Sequence, residues 1–114
     1  MQTKLSAISD IFARLASTEY FTSATNVYHY TAPDKTEAPY FIWAEDDRVD
    51  LTAGNIHAEK AWQGTIDLYT HTEFDVRIDY VESLLDANFI WRLESVQYEE
   101  DTGLIHYEWV WNYA

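Results

Sequence analysis

The sequence contains no cysteine, only three glycines and two prolines, and only 7 basic residues. Without cysteine there can be no disulfide, thiol nucleophile or thiolate metal site, and the redox compartment stays open. The glycines, at positions 54, 64 and 103, are too scattered to form a glycine-rich phosphate loop. No apolar run approaches roughly 18 residues and no charged-then-apolar leader is visible, so the sequence predicts a cytoplasmic protein without a membrane span.

The charge balance is strongly acidic. Twenty acidic residues against 7 basic ones give a net charge of −13. Such a surface repels nucleic acid phosphates, which argues against a groove-reading or backbone-tracking protein. It is compatible with a surface that DNA passes without binding, with a mimic of DNA, or with solubility alone.

Length and aromatic content indicate one domain with a substantial core. The 114 residues are enough for one domain and too few for two. Aromatic residues make up 17% of the chain, including five Trp and nine Tyr, and they crowd into the predicted strands. They indicate either an aromatic-rich core or an interface between subunits.

The stretch from Gly64 to Tyr113 organises the chain. Alternation over residues 64–70 predicts a strand, and an apolar stripe at helical spacing predicts a helix over residues 74–87. An imperfect capping box, Thr72 with Asp75, precedes that helix. The stripe consists of Phe74, Ile78, Val81 and Leu85.

Two further strands follow the helix. In residues 89–98 the apolar side chains change parity, which predicts a bulge near Glu94 and Ser95. The segment Glu100–Gly103 predicts a hairpin turn, with Gly103 at positive φ. The last strand, residues 104–113, alternates cleanly, and its aromatic face predicts core or subunit interface. The residues of this face are Tyr107, Trp109, Trp111 and Tyr113.

The N-terminal part adds a helix, an irregular segment and one more strand. Residues 4–16 predict a helix, capped by Thr3, that covers the second half of the core. Residues 17–38 are polar and predict a mobile loop, broken by a short strand at 27–30. Residues 40–45 predict a strand, residues 46–54 an acidic turn and residues 55–60 a loop. The fold class expected for this order is α+β, a single domain with two helices packed on one face of an antiparallel sheet and a β-α-β-β core within residues 40–114.

No catalytic or metal-binding pattern accompanies this fold. Asp46, Asp47 and Asp50 could hold a hard cation, but the spacing lacks the central Gly and closing Glu of a calcium loop, and a solvated turn is the simpler interpretation. The four histidines, at positions 29, 57, 71 and 106, form no HxxxH or HxH pair. No nucleophile elbow is present. The sequence therefore predicts neither an enzyme nor a cofactor or metal site.

The order of elements resembles a family of phage proteins. A strand ending in Asp67-Leu-Tyr-Thr70, a helix opening with Thr72-Glu-Phe-Asp75 and the hairpin Glu100-Asp-Thr-Gly-Leu-Ile-His-Tyr107 are similar to the tail-terminator and tail-completion (head-to-tail joining) proteins of long-tailed phages and prophages. The resemblance covers residues 40–113, about two thirds of the chain. It implies an α+β fold and a structural role without catalytic residues.

The resemblance also implies partners and places. Subunits of this family form a ring, typically a hexamer, that caps the tail tube, halts its growth and offers a docking surface to the head-completion protein. The implied location is the cytoplasm of the bacterial host and then the virion tail. Asp46, Asp47 and Asp50 are candidates for an acidic lumen that DNA crosses without binding, and the strand near Trp109–Tyr113 is a candidate sheet edge for ring contacts.

Three alternatives stay open at this stage. A head-completion or neck stopper protein would share the phage context but dock on the portal side. A DNA-mimic inhibitor of a nucleic-acid enzyme would carry its acids in rows along one face. A small-ligand or metal-dependent enzyme would show an activity that depends on titratable metal.

Overall fold

The computed structural model describes residues 2–17, 25–53 and 57–114, with the side chains of all of these except 49–53 and 57–60. Two helices and five strands make up the described chain, which confirms the α+β class. In chain order they are α1 (Lys4–Ala13, continued by a 3-10 turn at Arg14–Ala16), β1 (Asn26–His29), β2 (Tyr40–Ala53), β3 (His57–Thr70), α2 (Val76–Asn88), β4 (Ile90–Glu99) and β5 (Leu104–Tyr113).

The strands form one mixed sheet in the order β1-β2-β3-β5-β4. All neighbours are antiparallel except β1 and β2, which run parallel. The parallel pair arises because the chain crosses from the end of β1 back to the start of β2. β5 lies between β3 and β4, so the expectation that residues 109–113 form a sheet edge is wrong. The edges are β1 and β4.

Both helices pack on one face of the sheet, as the sequence predicts. Aromatic rings contribute to the contact between the layers: the Phe12 ring of α1 lies 5.4 Å from Trp43 of β2 and stacks on Phe89, the residue after α2, at 5.1 Å. Each large side chain removed from water in this way contributes about 1.5–3 kcal/mol. The fully buried members of the core are Ile8, Phe12, Leu15, Phe41, Ile66, Leu68, Val81, Leu85, Trp109 and Trp111.

The N-terminus of α2 differs from the prediction. The helix begins at Val76, and its cap is Asp75, whose carboxylate accepts the backbone N–H of Arg77 at 2.9 Å. Thr72 is therefore not the cap. Phe74 lies before the helix with a φ of 55° and is 95% exposed, so it does not belong to the buried stripe. The local cap overrides the apolar periodicity, because a residue ahead of the N-cap need not face the core.

The chain between Asp46 and Lys60 also differs from the prediction. The sequence predicts an acidic turn over residues 46–54 and a loop over residues 55–60. Within the described residues both predictions are wrong, since β2 continues to Ala53 and β3 starts at His57. A bulge between Glu45 and Asp47 breaks the alternation that would have identified the longer strand. Residues 54–56 lie outside the described part of the chain.

The long strands β2 and β3 extend beyond the rest of the sheet. β5 ends where Tyr113 pairs with Trp62, and from the pair Val49–Ala61 to the pair Ala53–His57 the two strands have no third strand beside them among the described residues. We call this two-stranded extension, residues 49–53 and 57–61, the arm. The molecule is accordingly elongated, 51 Å along its longest axis and 28 Å across.

Several local predictions are confirmed. Thr3 caps α1 by accepting the N–H of Ser6 at 3.0 Å. The register of β4 shifts between Leu93 and Ser95, at the predicted bulge. Gly103 closes the β4–β5 turn with a φ of 71°. The predicted short strand at 27–30 exists as β1, one residue earlier. Residues 18–24 of the predicted mobile loop lie outside the described part, so its mobility stays a prediction.

Candidate functional site

The face of the sheet opposite the helices carries a row of aromatic rings. Tyr28 meets Tyr40 edge to face at 6.3 Å, Tyr40 stacks on Tyr69 at 4.9 Å, and Tyr69 stacks on His106 at 4.2 Å. The row crosses β1, β2, β3 and β5 because Tyr40 pairs with Tyr69 and Tyr69 pairs with His106 in the register of the sheet. Such stacked pairs stabilise neighbouring strands and give this face a rigid surface.

Acidic residues stand beside this row. Asp67 on β3 pairs with Glu108 on β5, and the Asp67 carboxylate lies 3.1 Å from His106 Nε2. That hydrogen bond raises the pKa of His106, while burial and the Asp67 charge raise the pKa of Glu108. Burial, followed by the Asp67 charge, raises the pKa of Tyr69 to about 12. A protonated His106 therefore offsets part of the repulsion between the two carboxylates.

The predicted lumen acids lie in β2, near the base of the arm. Asp47 pairs with Gln63, the residue next to the last partner of β5, and Asp46 occupies the bulge just before it. Burial and the charge of Asp47 raise the pKa of Asp46. Asp50 belongs to the arm, but its side chain lies outside the described part of the chain. The predicted turn that was to carry these acids is wrong, since Asp46 and Asp47 belong to β2, and their place in a lumen stays a prediction.

The predicted interface residues of β5 divide into two pairs. Trp109 and Trp111 are completely buried within the chain, beneath the helices, so their side chains form core and are not available to a neighbour. Tyr107 and Tyr113 are partly buried and pack against that core. The two tryptophans are therefore core and not the subunit interface that was the other interpretation of this face; for Tyr107 and Tyr113 the interface stays a prediction.

The edge strand β4 presents apolar side chains to solvent. Ile90 is 76% exposed, Leu93 46%, Val96 51% and Tyr98 64%. An edge strand of ten residues with exposed apolar side chains is a surface on which another strand can pair. The sequence predicts the free edge at β5, because hairpin order alone does not show that β5 inserts between β3 and β4.

A second exposed apolar feature precedes α2. Phe74 stands on a rigid base: the Asp75 carboxylate accepts the Thr70 hydroxyl at 2.7 Å and lies 3.2 Å from the Arg77 guanidinium. Arg77 in turn donates to the Thr25 hydroxyl at 2.7 Å. We call Phe74 with the adjacent, half-exposed Val76 the knob. The sequence pattern does not indicate the knob, because Phe74 falls in register with the buried stripe of α2.

A groove lies at the far end of α2. It has a volume of about 630 Å³, and its walls come from the end of α2, the start of β4, the end of β5 and the base of the arm. The lining residues are Ala61, Asp86, Ala87, Asn88, Phe89, Ile90, Asn112, Tyr113 and Ala114. Small side chains at Ala61 and Ala87 leave the space open, a feature with no signature in the sequence pattern.

Within the described residues, no group of three or more His, Asp or Glu side chains is placed to hold a metal ion. Neither of the two described helices is long and apolar enough to cross a membrane.

Comparisons with known proteins give a structural likeness and no sequence family. No protein-family model matches the chain, and no curated protein matches it. Among solved structures, 14 chains match. One belongs to the virion of a native gene transfer agent (GTA) particle; it is 14% identical to this chain, with a TM-score of 0.54 over 96% of this chain and 87% of that one. At this identity the likeness shows a shared fold.

Proposed function

We propose that this protein is a structural subunit of a phage or prophage-like virion, and that it acts as a ring-forming tail terminator that caps the tail tube and joins it to the head. The observation that carries the proposal is the fold shared with a chain of a GTA virion over 96% of this sequence. The resemblance of residues 40–113 to tail-terminator and tail-completion proteins points in the same direction and gives the finer role.

The surfaces of the molecule fit a subunit that repeats around a ring. A ring needs two different patches on each subunit, one for each neighbour. This chain offers an exposed edge at β4, whose first residue also lines the groove at the base of the arm, and the exposed knob at the other end of α2. The ring would consist of copies of this chain, in the expected case six, stacked on the tail tube protein and facing the head-completion protein.

The charge of the chain fits a passage for DNA. Asp46 and Asp47 at the base of the arm are the proposed lumen acids, together with Asp50. With a net charge of −13, a ring of such subunits repels phosphates and lets DNA pass without binding it. No cofactor or metal takes part in this function.

The structure gives less support to a DNA mimic. That hypothesis requires acids in rows along one face, whereas Asp67 and Glu108 lie on the open face of the sheet and Asp79 and Asp86 lie on α2, on the opposite side. A head-completion or neck stopper protein uses the same surfaces in the neighbouring ring of the particle. The position of the protein in the particle therefore distinguishes this role from that of a tail terminator.

The decisive experiment deletes the gene in a producing strain and images the particles. A terminator predicts tails of irregular, excessive length that fail to join heads. A neck protein predicts tails of normal length beside filled heads that leak DNA. Normal, infectious particles without this chain would refute the virion role altogether.

A charge variant tests the lumen. Replacing Asp46 and Asp47 by Lys should make the assembled ring retain DNA at low salt, since each added cation releases counterions from the duplex. The matched control replaces Glu100 and Asp101, two acids in the β4–β5 turn, by Lys. Equal DNA retention in both variants would remove Asp46 and Asp47 from the lumen.

A further inference from the structure

The knob and the groove lie at opposite ends of α2. The knob precedes the first residue of α2, and the groove is lined by the last residues of the same helix. Phe74 and Ala87 are therefore separated by about 20 Å at a rise of roughly 1.5 Å per residue. The knob and the groove are also separated along β3: the Thr70 hydroxyl of this strand donates to Asp75 at the base of the knob, while Ala61 of the same strand lines the groove.

The knob is held in place although nothing in the described chain covers it. Phe74 is 95% exposed, and its φ of 55° is one that a bulky residue rarely adopts. Three buried side chains, Thr70, Asp75 and Arg77, fix the backbone on either side of it. His71 adds a bond from its ring to the Gly103 carbonyl at 3.1 Å, which ties this loop to the β4–β5 turn. An exposed aromatic on such a rigid base loses little conformational entropy on binding.

The groove is suited to an aromatic side chain. Its walls include Phe89 and Tyr113, whose rings pack at 5.5 Å, and the exposed Ile90 lies at its rim. Its volume of about 630 Å³ exceeds that of a phenylalanine side chain with its neighbours in the chain. Apolar pockets that take one aromatic anchor are where binding energy concentrates in protein interfaces.

We infer that Phe74 of one subunit inserts into the groove of the next, so that copies of this chain associate head to tail. The inference rests on the proposed function in one respect, that the chain assembles with itself. An exposed apolar group and a complementary pocket elsewhere on the same molecule make a heterologous contact, which produces a ring when the rotation closes and a filament when it does not. In the proposed ring, the rotation between neighbouring subunits closes.

Negative charges on both surfaces oppose this contact, and they make its strength depend on salt concentration. Glu73 stands next to the knob and Asp86 lines the groove, so two carboxylates approach each other when the contact forms. Two subunits of net charge −13 also repel each other as a whole. Association should therefore strengthen as salt rises, because the Debye length falls from about 10 Å at 0.1 M to about 3 Å at 1 M.

Cross-linking tests the contact directly, since the chain has no cysteine of its own. One preparation carries Glu73→Cys, next to the knob, and the other Ala87→Cys, in the groove, so that both keep Phe74, and the two are mixed under mild oxidation at high salt. A disulfide-linked dimer should appear in the mixture far faster than in either preparation alone. The matched control uses Asp34→Cys in place of the Glu73→Cys preparation; Asp34 is an exposed acidic turn residue outside knob and groove, and its variant should give no such preference.

A binding variant tests the energy of the contact. Phe74→Asn introduces a residue that tolerates positive φ, so the isolated subunit should stay folded. Loss of an aromatic anchor should weaken association about thirtyfold or more. The matched control is Tyr30→Asn, which removes another exposed aromatic at positive φ, outside the knob, the groove and the β4 edge, and should not weaken association by a comparable factor. Light scattering across protein and salt concentration measures both.

The outcomes separate the contact from the function. A preferred disulfide between the Glu73→Cys and Ala87→Cys chains, together with weakened association of Phe74→Asn, supports the contact. A ring or oligomer that forms without this disulfide, and is unaffected by Phe74→Asn, overturns the contact and leaves the proposed function standing. A strictly monomeric chain at every salt concentration also overturns it, and the deletion phenotype then decides the virion role independently.

Discussion

The indole Nε1 of Trp109, in the middle of β5, donates a hydrogen bond of 2.9 Å to the carboxylate of Glu82 on α2. Trp109 is completely buried, so this bond reaches from the core to a side chain at the margin of the helix layer. It fixes the position of α2 along β5. Trp111, two residues on, is equally buried, and among the described residues its Nε1 has no partner.

Removing the acceptor should therefore destabilise the fold. Glu82→Leu leaves the Trp109 N–H buried without a partner, which should cost about 1–3 kcal/mol in the free energy of unfolding. Glu82→Gln retains an acceptor oxygen and should cost less than about 1 kcal/mol. Urea unfolding followed by tryptophan fluorescence measures both, and equal losses in the two variants would contradict the role of the hydrogen bond.

The absence of a side chain at Gly64 is a second determinant of the core. A Cβ at this position would lie 2.5 Å from Cζ2 of Trp111 and would also overlap the backbone carbonyl of Ala44. Because a carbonyl in a paired strand cannot move away easily, Gly64→Ala should lower the free energy of unfolding by about 1–3 kcal/mol or more. A Cβ at Gly103 would make only an ordinary contact with His71 Nδ1 at 3.6 Å, so Gly103→Ala should cost the penalty of positive φ, about 1–2 kcal/mol. Thermal unfolding of both variants should show Gly64→Ala as the more damaging; the reverse order would contradict the close approach to Trp111.

The pair His106–Asp67 predicts how stability depends on pH. The pKa of His106 is raised above its ordinary value of 6.5 by the Asp67 hydrogen bond, so the ion pair contributes fully below pH 6.5 and is lost as pH rises through the folded value. Glu108 acts in the same direction at lower pH, because burial raises its pKa and its charged form is disfavoured in the folded state. Stability should therefore decrease as the solution becomes alkaline.

A double-mutant cycle assigns this pH dependence. His106→Gln should flatten the stability profile above pH 6.5, and Asp67→Asn should flatten the same part. The double variant should show no further flattening, since the two residues form one pair. Chemical denaturation at a series of pH values is the measurement, and additive effects would show that the residues act independently.

The sequence predicted the elements that depend on neighbouring residues. The cap at Thr3, the bulge after Leu93 and the positive φ of Gly103 are all set within a few positions of the chain, and the structure contains each of them. The placement of two helices on one face followed from their apolar stripes. These features need no knowledge of which strand pairs with which.

The predictions from sequence that were wrong concern features that only the tertiary structure determines. The insertion of β5 between β3 and β4 turned the expected edge at Trp109 into core, since strand order is not encoded in alternation. The bulge beside Asp47 concealed the continuation of β2, because it interrupts the period of two. Phe74 matched the stripe of α2 in spacing but precedes the cap, and so it faces solvent. The groove depends on small residues from separate elements, which no local pattern brings together.

The buried network around Asp75 carries the last prediction. Its carboxylate caps α2, accepts the Thr70 hydroxyl and pairs with Arg77, and both charged side chains are at least nine-tenths buried. Asp75→Ala removes the cap and withdraws the carboxylate from a buried guanidinium, which should cost about 3–5 kcal/mol, a large fraction of the stability of a domain this size. Arg77 keeps its bond to Thr25, which offsets only part of that loss.

Asp75→Asn distinguishes the two contributions of this side chain. The amide oxygen can still accept the Arg77 backbone N–H, so the cap persists, while the charge that pairs with the guanidinium is gone. If the ion pair dominates, Asp75→Asn should lose most of what Asp75→Ala loses, and Asp75→Asn combined with Arg77→Leu should recover part of it, because no buried charge then remains. If the cap dominates, Asp75→Asn should lose no more than about 1 kcal/mol, and the double variant should be less stable than the single one. Guanidinium unfolding of the three variants decides between these results. Because Phe74 stands on this network, the same variants should also weaken self-association, in the order in which they destabilise the start of α2.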